Sequence, residues 1–256
     1  METRALISDI HGNIEALKVV MDHIRSQGIT KILCLGDVVG YGPNPDQCMD
    51  LVKDCEFILM GNHEEAVLFG AFGFNPSAKE AVEWTRQQLE PGLLSPRTKK
   101  DRWKVLQNLP LTMREKNILY VHGSPRDPTM EYILKSDCED LFGEIPEKIR
   151  EIFSMIDGLC FVGHTHNPGI ITEEAKFLLP QEMNYVFPYD SRKKYIVNIG
   201  SVGQPRDKDS RACYVTFNDR EIRWHRLEYN YRAVMKKILA IPQLDNRNAE
   251  RLETGT

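Results

Sequence analysis

The chain has 256 residues, 41% of them hydrophobic, with 33 basic against 37 acidic side chains and a formal charge of -4. That length and apolar content suffice for one large domain with a buried core, while the mild acidity gives no global attraction to nucleic acid or anionic lipid. No apolar run is long enough to span a bilayer, no apolar leader precedes the first strand pattern, and the six cysteines form no C-x-x-C pair, so the reading is a cytoplasmic protein whose cysteines are small core residues.

Ala5-Leu6-Ile7 reads as a first strand. Ile14, Leu17, Val20, Met21 and Ile24 recur at helical spacing and predict an amphipathic helix from Asn13 to Ser26, ended near Gly28. A second strand at Lys31 to Leu35, a short helix opened by Asn44-Pro45 and reaching about Val52, and a third strand at Phe57 to Met60 complete a β-α-β-α-β opening, whose crossovers demand parallel strands. The class is α/β. From Glu64 to Leu109 the pattern turns helical, with segments at Ser77 to Leu89 and Thr98 to Leu109 around Pro91-Gly92 and Pro96; this is a helical insertion over about 64–110. Strand patterns return at Leu111 to Glu115, Ile118 to Val121, Leu159 to Val162, Ile170-Ile171, Tyr195 to Asn198, Ala212 to Phe217 and Ile222 to Leu227, and suggest a second sheet. Residues 1–240 are expected to form one domain. The polar stretch Pro242 to Thr256 shows no periodicity and is expected to be a frayed tail over 241–256.

Five of the seven histidines sit in polar clusters that follow strand-like runs: Asp9-Ile10-His11, Gly61-Asn62-His63, His122-Gly123 and Gly163-His164-Thr165-His166, joined by Gly36-Asp37 after the second strand. Ligands of open α/β sheets bind where strands end, and carboxylate with neutral imidazole suits borderline and hard divalent ions. The inventory exceeds one tetrahedral site, which points to two metals. Asp37 is the candidate bridging carboxylate, with Gly36 beside it allowing close approach of the backbone. Asp9 and His11 stand at i and i+2, a spacing that in extended chain turns both side chains one way toward one ion; His164 and His166 have the same spacing, with Gly163 and Thr165 leaving them room to address different metals. Asn62 offers an amide oxygen to the second ion, and His63 is left as an unligated imidazole to protonate a leaving alkoxide. Each short motif arises often by chance; their conjunction at successive strand ends is specific.

Taken in order, Asp9-x-His11, Gly36-Asp37, Gly61-Asn62-His63-Glu64, Val121-His122-Gly123 and Gly163-His164-Thr165-His166 resemble the signature of calcineurin-like metallophosphoesterases. The resemblance implies a four-layer α/β/β/α sandwich with two mixed β-sheets, a hydrolase acting on phosphoric esters, and two divalent ions drawn from manganese, iron and zinc. By position, Asp9, His11, Asp37 and His166 would hold one ion and Asp37, Asn62, His122 and His164 the other. A hydroxide activated by both ions would be the nucleophile and His63 the catalytic histidine. Glu64 stands where relatives often have Asp and would orient His63. The stretch Asn198 to Arg206 resembles a glycine-rich segment of small prokaryotic members. Either Gly200 and Gly203 expose backbone N–H groups to an anion while Arg206 grips phosphate, or the stretch is a tight hairpin with a surface arginine.

A small phosphodiester such as a nucleotide is the preferred substrate, with a phosphomonoester or dinucleoside polyphosphate as alternatives. The rivals are a non-catalytic scaffold of this fold, opposed by the intact donor set, and a nuclease, opposed by the acidic balance. No membrane partner is expected, and self-association stays open. His23 and His225 read as structural histidines. The loop 36–46, with Gly40, Tyr41 and Gly42, either lines the site or caps the following helix. Phe69, Phe72, Phe74, Trp84 and Trp103, with Tyr185, Phe187 and Tyr189, read as core or interface residues more than as surfaces for a base to stack on.

Overall fold

Alternation along the buried strands sorts apolar side chains into layers. In β1 (Arg4–Ile7), Leu6 joins one core while Ala5 and Ile7 join another, and in β2 (Ile32–Cys34), Leu33 is separated in the same way from Ile32 and Cys34. Strands covered on both faces lose the polar half of the pattern and read as unbroken apolar runs. The structure, a computed structural model, describes residues 2–140 and 143–256.

The first sheet runs β3 (Phe57–Ile58), β2, β1, β11 (Ala212–Phe217), β12 (Glu221–Leu227), β9 (Val186–Pro188). The second runs β4 (Thr112–Glu115), β5 (Ile118–Val121), β6 (Leu159–Val162), β10 (Tyr195–Asn198), β7 (Gly169–Thr172), β8 (Phe177–Leu178). Each is mixed: β1, β2 and β3 are parallel, as are β5, β6 and β10, and the other strands add antiparallel. Leu6, Leu33, Phe161, Val197, Phe217 and Trp224 fill the space between the sheets. Helices α1 (Ile14–Ser26) and α2 (Pro45–Val52) cover the outer face of the first sheet, and α6 (Glu147–Ser154) covers the second. This is the expected α/β fold with two mixed sheets. Among the described residues no helix is long and apolar enough to cross a membrane.

The helical stretch between β3 and β4 holds α3 (Asn62–Phe69), α4 (Pro76–Leu89) and α5 (Arg97–Gln107). The first of these falls within the helical stretch expected from Glu64 but begins two residues earlier, at Asn62 and His63, which read as the end of a strand. The unstructured tail is corrected. Residues 246–254 form α8 (Asn246–Thr254), and its buried Ala249 and Leu252 pack with Leu244 against Val234 and Ile238 of α7 (Tyr231–Leu239). The inward positions Leu244, Asn248 and Leu252 follow the helical period, and the asparagine in the middle hid it.

Candidate metal centre

The chain turns sharply at the strand ends to present its polar groups. Asp9, His11, Asp37, His164 and His166 all have positive φ, between 48° and 63°. These are left-handed conformations that non-glycine residues adopt only when their surroundings hold them, and they gather at functional sites. The extended geometry expected for Asp9-x-His11 and His164-x-His166 is therefore corrected; His164 and His166 fall in different clusters, in keeping with their expected assignment to different ions.

Ligating atoms of Asp9, His11, Asp37 and His166 lie within 4.8 Å of one another, and so do those of Asp37, His122 and His164. Asp37 belongs to both groups. Its Oδ1 accepts the His63 backbone N–H at 2.9 Å. Its Oδ2 stands 3.7 Å from His11 Nε2 and 3.3 Å from His122 Nε2. His166 Nε2 is 3.2 Å from Asp9 Oδ1 and 3.1 Å from His11 Nε2. On the other side His122 Nε2 is 3.2 Å from both Asn62 Oδ1 and His164 Nδ1. Two donors roughly 2.0–2.2 Å from one tetrahedral ion stand about 3.4 Å apart, so these separations suit an ion in each cluster.

The outward ring nitrogens decide where the protons sit. His11 Nδ1 faces the Val39 carbonyl at 3.2 Å, His122 Nδ1 that of Leu35 at 3.0 Å, His164 Nε2 that of Met130 at 3.1 Å, and His166 Nδ1 that of Gln204. A carbonyl only accepts, so each of these nitrogens donates, and in the neutral ring the inward nitrogen presents a lone pair. Two such lone pairs facing each other across 3.1 Å need a cation between them. The residues therefore fit a bound metal.

The electrostatics agree for three of the four rings. Burial pushes His11 and His166 below the ordinary imidazole range and His164 to about 3, keeping them neutral. His122 is the exception: Asp37 outweighs the downward push of burial and raises it to about 9, so its inward Nε2 carries a proton at neutral pH that a metal ion would have to displace. Burial would raise Asp9 and Asp37, but the histidines around them hold both carboxyls below the usual range.

Glu64 does not touch His63, contrary to expectation. Fully buried at the N3 position of α3, its carboxylate accepts the backbone N–H groups of Asp37 at 2.7 Å, Val39 at 3.0 Å and Gly61 at 2.9 Å. It clamps the Asp37 loop to α3, and burial followed by Asp37 raises it to about 7. The His63 ring lies edge-on to His11 and Tyr41, with centroids 4.8 and 4.4 Å away, and 5.1 Å from Phe74. Its buried Nδ1 has no partner, and it abuts Gly40, where an added Cβ would come within 2.1 Å. Burial lowers His63 to about 4, so it is a neutral imidazole at neutral pH.

The Asn198 to Arg206 stretch is a strap between the sheets. The N–H of Gly200 is donated to Asn198 Oδ1 and that of Gly203 to the Asp9 carbonyl, both at 2.9 Å, so neither is offered to an anion. Gly203 is required because a Cβ there would lie 1.7 Å from the Ile10 carbonyl oxygen. Arg206 hydrogen-bonds Gln204 Oε1 at 2.6 Å, lies 5.9 Å from the Tyr41 ring centroid, and its charge depresses His63 and His166. The loop 36–46 does line the site, through Tyr41. Tyr132, which nothing in the sequence singled out, stacks on His164 at 3.9 Å. His23 hydrogen-bonds Tyr214 and packs beside His225, and all six cysteines are free thiols.

Two mixed sheets whose ends deliver histidine and carboxylate donors to one buried cluster define a metal-dependent phosphoesterase. The calcineurin-like phosphoesterase family model matches residues 3–234, and the chain belongs to this family of hydrolases acting on phosphoric esters. It is 35% identical to the uncharacterized protein MJ0912 of Methanocaldococcus jannaschii over 249 residues, 92% of this chain and 91% of that one. The crystal structure of a metallophosphoesterase from Sphaerobacter thermophilus superposes with a TM-score of 0.79 at 32% identity, covering 99% of both chains. The hypothetical protein PH1004 of Pyrococcus horikoshii shares the fold at a TM-score of 0.73 and 18% identity, covering 100% of this chain and 99% of that one.

Proposed function

We propose that the chain is a phosphodiesterase that uses two divalent ions, one among Asp9, His11, Asp37 and His166 and the other among Asp37, Asn62, His122 and His164. The observation that carries this is the pair of facing inward ring nitrogens, His11 with His166 and His122 with His164, joined through the Asp37 carboxylate. Such ions, whether manganese, iron or zinc, would supply Lewis-acid polarisation of the phosphoryl group and a water-derived nucleophile at neutral pH. The chain's own part is positioning: Asp37 spaces the two clusters, outer carbonyls fix the tautomers, and Glu64 holds the Asp37 loop.

His63 is the proposed catalytic residue. It meets the substrate as a neutral imidazole, and the negative charge of a bound phosphate favours its protonation, which readies it to protonate the departing alkoxide. Arg206 adds positive charge at the same edge. Rings flank both sides of the centre, Tyr41 and Phe74 near His63 and Tyr132 on His164, which supports an ester carrying a group on each side.

The test is hydrolysis of bis-p-nitrophenyl phosphate against p-nitrophenyl phosphate after loading with manganese, iron, nickel or zinc, with His63→Ala alongside. Metal-dependent diester turnover that falls in the variant supports the reading. A preference for p-nitrophenyl phosphate would replace it with a phosphomonoesterase.

A further inference from the structure

Beside the metal centre runs a groove of about 430 Å³, walled by Tyr41, by the start of α4 at Asn75 to Ala78 and by α8. The first residues of both helices line it, with the Ala78 N–H capped by Asn75 Oδ1 and the Arg247 N–H by Asp245 Oδ1, so what each helix offers an anion there is the positive end of its dipole. The charge on its walls is lopsided. Asp245 is consumed as the α8 cap, accepting the Arg247 backbone N–H at 2.8 Å and facing the Arg247 guanidinium at 3.4 Å. The guanidinium of Arg251, one turn further along, has no hydrogen bond or ion pair among the described residues, and Arg206, beside the Tyr41 wall, has only the neutral partners Gln204 and Tyr41. Burial, and then the charge of Arg206, lower Arg251 from the ordinary guanidinium range. An independent sign comes from Asn248, which is 4% exposed, lines the groove and carries a buried Nδ2 with no partner.

Tyr41 joins this groove to the chemistry. It forms part of the wall, its ring is 5.0 Å from His11 and 4.4 Å from His63, and Arg206 sits 5.9 Å from it. The matched family residues end at 234, before α8 begins, so the α8 wall of the groove lies outside that match while Tyr41 and residues 75–78 lie within it.

We propose that the groove is a second anion subsite, in which Arg251 and Asn248 receive a phosphate carried by the substrate in addition to the one at the metal centre, with Arg206 adding positive charge from beside Tyr41. The substrate class is then a phosphodiester bearing a further terminal phosphate, as in a nucleotide phosphorylated at both ends. The proposal deepens the phosphodiesterase reading and rests on it.

The experiment compares two diesters that differ only in that group: the p-nitrophenyl ester of thymidine 5′-phosphate, and the same ester with a free 3′-phosphate. Each is assayed with metal-loaded wild-type, Arg251→Ala and Arg251→Lys protein. Losing one charge-assisted hydrogen bond costs about a factor of ten in affinity. The 3′-phosphate should lower KM roughly tenfold in the wild type, Arg251→Ala should erase most of that advantage, and Arg251→Lys should restore part of it. An advantage absent from the wild type, or equal in wild type and Arg251→Ala, overturns the subsite.

If neither ester is turned over, the phosphodiesterase reading fails and the groove is judged by binding alone. Titration calorimetry of the full-length, chelator-treated protein with inorganic phosphate should show binding that weakens roughly tenfold in Arg251→Ala. Equal binding, or none in the wild type, overturns the subsite there too.

Discussion

Nε2 of His11 and Nε2 of His166 face each other across 3.1 Å, while the other nitrogen of each ring donates to a backbone carbonyl. Without a cation, two lone pairs meet in a buried space. A chelated sample should therefore be less stable than a loaded one. At a metal concentration a hundred times Kd the gain is about 2.7 kcal/mol, roughly 5–10 °C in Tm for a chain of this size. Scanning calorimetry with and without manganese or zinc checks it, and identical melting curves would count against the centre.

Asp37 is the one carboxylate common to both clusters, so Asp37→Ala should lower metal content and turnover together. A loss in kcat/KM beyond the 10- to 100-fold typical of outer-shell changes is expected. Metal analysis beside the diester assay decides; two ions and full activity in the variant would remove Asp37 from its role.

Glu64 accepts three backbone N–H groups. Glu64→Gln keeps the shape but turns an amide NH2 toward donors. A loss of about 2–4 kcal/mol is expected, with metal affinity reduced about 10- to 100-fold. Urea unfolding and metal titration measure both, and a variant as stable as the wild type would show that the clamp is dispensable.

Gly40→Ala places a methyl 2.1 Å from His63 Nδ1, at a φ of +87°. The ring must move while the metal donors stay put. Turnover should drop by an order of magnitude or more with metal content retained, given how steeply rate depends on placement. An unchanged kcat would separate His63 from the chemistry.

His225 makes a hydrogen bond to Thr216 at 2.8 Å and stacks on Tyr214. Burial, then the charges of His23 and Arg223, push it down to about 4, below its unfolded value near 6.5. The unfolded chain takes up this proton first, so the contribution is complete above about pH 6.5 and is lost as pH falls toward 4. Urea midpoints of wild type and His225→Gln should diverge at pH 7.5 and converge toward pH 4.5. A gap independent of pH refutes the assignment.

The strands feeding the site were legible because they are apolar on both faces, and β5, β6, β10 and β11 lie where the pattern put them. The donors were legible because carboxylate, imidazole and amide recur after those strands. The left-handed turns were not, since tertiary contacts such as Val202 N–H to Ser8 O and Gly203 N–H to Asp9 O impose them. Short β8 and β9 exist only through their pairing with β7 and β12. The partner of Glu64 was misjudged because sequence adjacency to His63 says nothing about where a side chain on the first turn of a helix reaches. Helix α8 was hidden by Asn248, a polar residue at an inward position, and that same asparagine lines the proposed subsite.

The donors divide between the two sheets. Asp9, His11, Asp37 and Asn62 follow β1, β2 and β3 of the first, whereas His122, His164 and His166 follow β5 and β6 of the second. Ions placed there would act as rivets through a laminate, tying layers otherwise held largely by apolar contact and the strap at 198–206. Affinity for metal then becomes a gauge of how well the two layers are seated. A substitution deep between the sheets, far from any donor, would be felt at the rivet as a weaker grip.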